Sequence, residues 1–285
     1  MINIRVIRRR IRGIKGIAKI TKAMEMVAAS RMRRAQESGL AGRPYSEKIT
    51  QVLADLAALP ETGRVLHPLL QRRPVTKIAI VHITPDRGLC GGLVANLNRR
   101  TASVILEQDV PVTLIAVGLK GVDFMRRYGR DITAEFTRLG DRPSLLDTLP
   151  ISRIVIDDYT NGVVDLVYLV YAQFISTMVQ RPAVKQILPI EPAAIPTAQN
   201  VDYIYEPGPA AVLGQLLPRF VEMQVYHAIL EAIASEQSAR MVAMRNATDN
   251  ASELIQDLTL MYNKARQESI TKELLDIIGG AEALA

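Results

Sequence analysis

The sequence predicts an α/β protein with a long antiparallel coiled coil: its N- and C-terminal helices pair with each other and frame a small central α/β domain. Three observations predict it. Apolar residues recur at coiled-coil spacing near both ends of the 285-residue chain. Between them, short β-branched runs alternate with helical stretches, the pattern of a mostly parallel sheet with helices on its faces. No third segment matches the terminal helices in length, so the simplest packing sets them against each other. The boundaries read as 1–59 for the N-terminal helix, 76–206 for the central domain and 209–285 for the C-terminal helix.

The N-terminal helix runs from Ile4 to about Leu59. Ile4, Ile7, Ile11 and Ile14 lie on a coiled-coil seam. Ile17, Ile20, Met24 and Val27 continue it after an extra three-residue step, so the seam is expected to drift around the helix there. Gly13, Gly16 and Ala28-Ala29-Ser30 allow close approach of another surface. Gly39, Gly42 and Pro44 mark a bend or break.

In the centre, Lys77 to Pro85 reads as a buried strand, followed by the turn Asp86 to Gly92 and a helix to about Gln108. Pro111 to Gly118 is a second strand and Lys120 to Tyr128 a short helix. Asp165 to Tyr171 and Val184 to Ile190 are further strands, with a helix before the first of them. This alternation is Rossmann-like. The turn is neither G-x-G-x-x-G nor G-x-x-x-x-G-K-[ST], and it lacks a lysine for a phosphate. It is read as a tight structural turn, with Cys90 as a small turn residue rather than a nucleophile, since no feature supplies a base or an oxyanion site. The Pro-rich segment from Ile190 to Gly208 links onward.

The C-terminal helix carries the strongest signal. Leu213, Leu216, Phe220, Met223, His227, Leu230, Ala234, Gln237, Met241, Met244, Thr248, Ala251, Ile255, Leu258, Tyr262 and Ala265 alternate steps of three and four without interruption. Pro209 suits a first turn. Pro218 predicts a kink or the real start, and Gly279-Gly280 a stop. From Pro209 to Ile278 such a helix spans roughly 105 Å. It outruns its partner, so part of its apolar surface must meet another protein.

Charge and composition narrow the function. Residues 1–43 hold nine Arg and three Lys against Glu25 and Glu37, a net of +10, which leaves −4 for the rest of a chain whose total is +6. The arm therefore calls for an acidic partner. Aromatics are absent from these residues, so a nucleic-acid-binding coiled coil has no stacking platform. An α/β enzyme with an unrecognised site is the other alternative, and no convergent polar constellation supports it. One cysteine excludes an internal disulfide. His67, His82 and His227 lack ligand spacing and are read as structural. No catalytic residue, cofactor or metal is expected, nor a membrane-spanning helix.

Three stretches resemble one family: Lys19-Ile-Thr-Lys-Ala-Met-Glu-Met-Val-Ala-Ala-Ser30 with Arg31 to Gln36, Asp86 to Gly92, and Ala239 to Met244 with Ala247 to Asn250, Tyr262 to Gln267 and Ser269 to Thr271. In order and total length they are similar to the gamma subunits of F-type ATP synthases. The chain departs from that pattern at Gly16-Ile17-Ala18, Val94 and Pro218.

The resemblance implies a non-catalytic rotary central-stalk subunit, one copy per complex. Its partners would be the alpha and beta subunits of a hexamer, the epsilon subunit and the membrane c-ring. It would couple proton or sodium flow to ATP synthesis or hydrolysis from the cytoplasmic face of the bacterial inner membrane. The contacts it implies are Lys19, Lys22, Met24, Arg31, Arg33 and Arg34 toward acidic loops of beta. Arg240, Arg266, Gln267, Thr271 and Glu273 would be polar catches, and Tyr203, Tyr205 and Glu206 would rest on the c-ring. The isolated chain is expected neither to hydrolyse nor tightly to bind ATP.

Overall fold

Both terminal helices form at their expected places in the computed structural model, which describes residues 4–57, 67–191, 206 and 208–282. Helix α1 spans Ile4–Ala57 and α5 spans Pro209–Glu282. Between them lie β1 (Ile78–Ile83), α2 (Leu93–Leu106), β2 (Val112–Val117), α3 (Leu119–Arg127), β3 (Ile132–Phe136), α4 (Leu145–Thr160), β4 (Leu166–Phe174) and β5 (Gln180–Leu188). The chain forms two compact units. One comprises residues 1–28 and 241–285, the other residues 29–240.

In the larger unit the five strands are ordered β3-β2-β1-β4-β5, parallel except β5, which runs antiparallel to β4. Strand β1 is apolar along most of its length because both faces of the sheet are covered, as parallel sheets require. Ala79, Val81, Ile83, Val167, Leu169 and Tyr171 enter a core shared with Ile151, Val155 and Tyr159 of α4 and with the Leu213–Ala232 stretch of α5. Ile78, Ile80, Leu114 and Val170 pack oppositely, with Val104 and Ile105 of α2 and Met125 of α3. Strand β3, absent from the sequence reading, is a five-residue edge strand whose residues alternate between half-buried and exposed. So short an alternation is too weak a signal to separate from a loop.

His82 on β1 is fully buried, and its ring is satisfied on both nitrogens. Nε2–H donates to Asn98 Oδ1 at 2.9 Å and Nδ1 accepts from the Thr101 hydroxyl at 2.8 Å, which fixes the neutral tautomer. Burial pushes its pKa down to about 4, against the bond to Asn98. The unfolded chain then takes up a proton near pH 6.5 that the native ring refuses until about pH 4. Stability should fall across that window by on the order of 3 kcal/mol. Urea unfolding against pH measures this: His82→Leu should start lower at pH 7 but fall more shallowly, and equal slopes would contradict the assignment.

In the smaller unit the two helices pair antiparallel. Arg8 hydrogen-bonds to Tyr262, the Thr21 and Thr248 hydroxyls lie 2.7 Å apart, and Arg245 Nε donates to Glu25 Oε1 at 3.0 Å. All sixteen seam positions named on α5 are buried or half-buried. The α1 seam departs from expectation, because it does not drift. Ile4, Ile7, Ile11, Ile14, Ala18, Thr21, Glu25 and Ala28 form a shielded line at alternating steps of three and four, with Gly16 and Met24 half-buried beside it. Ile17, Ile20 and Val27 are instead 55%, 61% and 50% exposed. A partner with an unbroken heptad repeat holds α1 to the same repeat, since a three-residue slip would lift knobs out of their holes. Register overrides apolarity here.

The same steps run on in the larger unit through Met32, Ala35, Gly39 and Gly42 to Ile49 and Leu53. Of the bend or break expected at Gly39, Gly42 and Pro44, the break does not occur: α1 is one continuous helix to Ala57. Gly42 is a packing notch: a Cβ there would sit 2.6 Å from Cε1 of His227. Beyond Pro44, Ile49 and Leu53 bury in the main core and hold the last turns in line. Pro218 likewise neither starts α5 nor ends a helix, being flanked by the fully buried Leu217 and Val221. Gly279-Gly280 does not stop α5, which reaches Glu282.

Candidate functional site

Open parallel sheets bind ligands beyond the carboxyl ends of their strands. In this chain that edge carries the turn Asp86 to Gly92. Asp86 staples three loops together: Oδ1 accepts from Leu119 N at 2.9 Å and Oδ2 from Arg138 N at 3.0 Å. Thr84 Oγ1 receives Gly121 N at 2.8 Å, and Gly118 passes close enough to Thr84 to need φ +94°. Leu89, at φ +63°, projects from the turn 62% exposed, whereas Cys90 beside it is buried. Burial pushes the Cys90 thiol up, so it is held as thiol rather than as a nucleophilic thiolate.

Helix α5 closes over this edge. Arg240 donates through Nη2 to the carbonyls of Gly88 at 3.2 Å and Arg87 at 3.4 Å and pairs with Glu236 at 2.6 Å. Burial raises the pKa of Glu236, with Arg240 opposing and Asp141 and Asp86 adding to the rise. Ile229, Ala232, Ile233 and Glu236 leave a cavity of about 50 Å³ against Thr84 and Gly118. That is far below the few hundred Å³ of a small-molecule site. The space beyond this end of the sheet is lined by Ile229 to Glu236 of α5.

The residues expected to meet partners are placed as follows. Lys19 is exposed, Lys22 pairs with Glu25 at 3.0 Å and Met24 is half-buried. Lys22, foremost, and then Arg245 hold the Glu25 carboxyl below its ordinary pKa despite burial. Arg31 reaches Asp141 at 2.8 Å, while Arg33 is exposed and Arg34, also exposed, donates to Ser30 Oγ. Arg240 is buried and committed to the turn. Arg266, Gln267, Thr271 and Glu273 stand exposed along the last turns of α5. Glu206 is exposed, and Tyr203 and Tyr205 lie outside the described residues.

Arg31 and Arg240 thus converge on the loops of one sheet edge, to Asp141 and to the turn. Sequence reading missed Glu25, Arg245, Glu236 and Asp141. A strict count of threes and fours from Ile4 lands on Thr21 and Glu25, the one signal that would have found the polar part of the seam. His67 accepts from Leu69 N through Nδ1 and His227 fills the notch at Gly42, so the histidines serve separate packing roles. Among the described residues no group of three or more His, Cys, Asp or Glu is placed to hold a metal, and no helix is long and apolar enough to cross a membrane.

Comparison with known proteins gives concordant results. The family model described as ATP synthase matches residues 3–284. The ATP synthase gamma chain of Dehalococcoides mccartyi strain 195 is 67% identical over 285 residues, all of both chains. That of Roseiflexus sp. strain RS-1 is 54% identical over 289 residues, covering 99% of this chain and 98% of the relative. Among solved structures, a chain of the Euglena gracilis mitochondrial ATP synthase (OSCP/F1/c-ring, rotational state 3) aligns with a TM-score of 0.66 at 23% identity, covering 99% of this chain and 94% of that one. A chain of the Tetrahymena thermophila mitochondrial ATP synthase central stalk and c-ring gives 0.62 at 23%, covering 80% and 99%. At that identity the structural likeness speaks for the fold.

Proposed function

We propose, from the premise that this chain belongs to the ATP synthase gamma-chain family, that it is the rotary central-stalk subunit coupling ion flow through a membrane ring to ATP synthesis or hydrolysis at an alpha/beta hexamer. It is non-catalytic itself. Its partners are the alpha and beta subunits, epsilon and the c-ring, and it sits at the cytoplasmic face of the membrane without crossing it.

The observation that carries this reading is the unpartnered apolar surface of the smaller unit. Ile17, Ile20, Met26 and Val27 on α1 are exposed although apolar residues were available to fill the seam. On α5 every residue with a described side chain from Ser269's neighbour Ile270 onward is exposed, including Leu274, Leu275, Ile277 and Ile278. A shaft turning inside a sleeve needs such a surface: apolar contacts are short-ranged and non-directional, so successive subunits can grip and release them. Differential contact with open and closed beta subunits then shifts their equilibrium. The exposed Lys19, Arg33 and Arg34 add attraction to acidic loops, each such pair contributing about 0.2–1 kcal/mol. The proposed c-ring contact is the segment at Tyr203, Tyr205 and Glu206.

The test is retention of alpha and beta on the tagged chain under native conditions. Replacing Ile17, Ile20 and Val27 together by Ser should leave the chain folded, because exposed positions change stability little. Retention of the hexamer, or proton pumping per ATP hydrolysed, should fall by about tenfold or more, since about 1.5 kcal/mol, a factor of about ten in affinity, is lost for each apolar side chain that a partner would bury. A variant that assembles and pumps like the parent would sink the reading.

A further inference from the structure

In the smaller unit α1 carries two possible seams side by side. Ala18, Thr21, Glu25 and Ala28 form the one shielded by α5. Ile17, Ile20, Met24 and Val27 each stand one residue ahead of these, at the same steps of three, four and three. The second line is the more apolar, yet Ile17, Ile20 and Val27 lie outside and only Met24 is half-buried. A step of three from Ile14 leads onto Ile17, the slip by which a heptad seam moves around a helix. Apolar burial favours that second setting. The heptad of α5 opposes the slip, but its side chains do not. Met241, Met244, Thr248 and Ala251 would pack an isoleucine as readily as a threonine, and the Thr248 hydroxyl has its own acceptor in Met244 O at 2.9 Å.

What separates the two settings is polar. The Thr21 and Thr248 hydroxyls lie 2.7 Å apart, within one hydrogen bond. Glu25 is 6% exposed and receives Arg245 Nε on Oε1 at 3.0 Å and Lys22 Nζ on Oε2 at 3.0 Å. Both carboxylate oxygens are thus engaged, one of them by α5. Turning this stretch of α1 by one residue, on the order of 100°, would carry Thr21 and Glu25 away from their partners on α5. Polar groups at a seam specify alignment at a cost in stability, because only one alignment pairs them.

We propose that Thr21 and Glu25 are positioning residues: they key α1 to Thr248 and Arg245 in the setting that keeps Ile17, Ile20 and Val27 outward, against a competing setting that buries them. The purpose assigned here rests on the stalk reading, since those three side chains are the surface offered to the hexamer. The keying itself concerns only the pairing of α1 with α5.

Maleimide labelling of the full chain tests this. Arg245→Met and Thr248→Val together remove both keys from α5 and leave the α1 lines unaltered. The reporters are Ile20→Cys and, in a separate chain, Ala18→Cys, each read apart from the buried Cys90 by peptide mass spectrometry. With the keys in place Ile20→Cys should label fast and Ala18→Cys slowly. Without them Ile20→Cys should slow at least about threefold, the fall expected when the turned setting holds about two-thirds of the chains, and Ala18→Cys should label faster. Adding Thr21→Val and Glu25→Leu makes the inner line apolar and should restore both rates. Retention of alpha and beta should fall and return in step with the Ile20→Cys rate. If both sites label faster without the keys, the links only hold the pair together. If neither rate changes, the heptad of α5 alone sets the face. Either result overturns the proposal. A parent chain that retains no hexamer would overturn the stalk reading instead, and the labelling rates would still decide the keying.

Discussion

Gly118→Ala is expected to unfold the larger unit under conditions where the parent chain is stable, with a loss of more than about 4 kcal/mol. A Cβ at position 118 would lie 1.9 Å from the Thr84 carbonyl oxygen and 2.7 Å from its carbon, both backbone atoms of the segment leaving β1. The backbone there has φ +94° and ψ 136°, a region open to glycine and strained for any other residue. Escape is blocked on three sides. Gly118 N donates to Phe136 O at 2.8 Å, Thr84 N donates to Val117 O at 2.8 Å, and Thr84 Oγ1 receives Gly121 N. Relieving the overlap therefore means parting β1, β2 and β3 at one edge. Gly16→Ala is the control: its Cβ meets nothing within 4 Å, and helix propensity favours it by about 1 kcal/mol. Urea denaturation that places Gly118→Ala within about 1 kcal/mol of the parent would show the turn to be far softer than its geometry implies.

Removing the arginine clamp is the second large effect. Arg240→Met leaves the Gly88 and Arg87 carbonyls without their donor and Glu236 buried without its cation. Loss of one partner of a buried pair costs about 3–5 kcal/mol; the slight exposure of both side chains here, 10% and 16%, lowers the expectation to about 2–4 kcal/mol. The pH dependence identifies the cause. Burial raises the native pKa of Glu236, so its protonated form is favoured in the fold. The stability this group confers is complete below its unfolded value near 4.5 and is lost as pH rises through the native value. Without Arg240 the native value climbs further and the loss at neutral pH deepens. The deficit of Arg240→Met should be largest near pH 7.5 and shrink toward pH 4.5. A deficit constant with pH would mean that the methionine merely packs badly.

How much of this was legible in the sequence varies by element, for physical reasons. The α5 seam was legible through sixteen positions because its core is built from apolar side chains and only three polar ones. The α1 seam was misread between Ile17 and Val27. There Ile17, Ile20 and Val27 face out and Ala18, Thr21 and Glu25 face in, and a rule that sends apolar residues inward inverts such a surface. Strands β1 and β2 were found near their true limits, since buried parallel strands are continuous β-branched runs. By contrast, β4 runs three residues past the expected Tyr171, and β5, an antiparallel edge strand, begins four residues before the expected Val184 and ends two before Ile190. β3 was lost because an edge strand can carry Glu135 in an ion pair with Arg126 and still pair on its other side. The turn Asp86 to Gly92 was recognised as a structural turn, but its clamp was not. Arg240 looks like any surface arginine on a helix until the fold brings the Gly88 carbonyl, 152 residues away in sequence, against it.

The unbroken heptad of the smaller unit has a mechanical side. A seven-residue repeat on helices of 3.6 residues per turn winds the pair left-handed, and a rope with a hand does not resist twist equally in both senses. Torsion that adds to the left-handed winding presses the seam side chains further into one another. Torsion of the opposite sense unwinds the pair toward two straight helices and draws the seam apart. The second load falls on directional contacts, the Thr21–Thr248 hydrogen bond and the Lys22–Glu25–Arg245 bridge, which lose strength with angle and distance sooner than apolar packing does. In this pair of helices the polar links act as the stop against unwinding, and the apolar links as the stop against over-tightening.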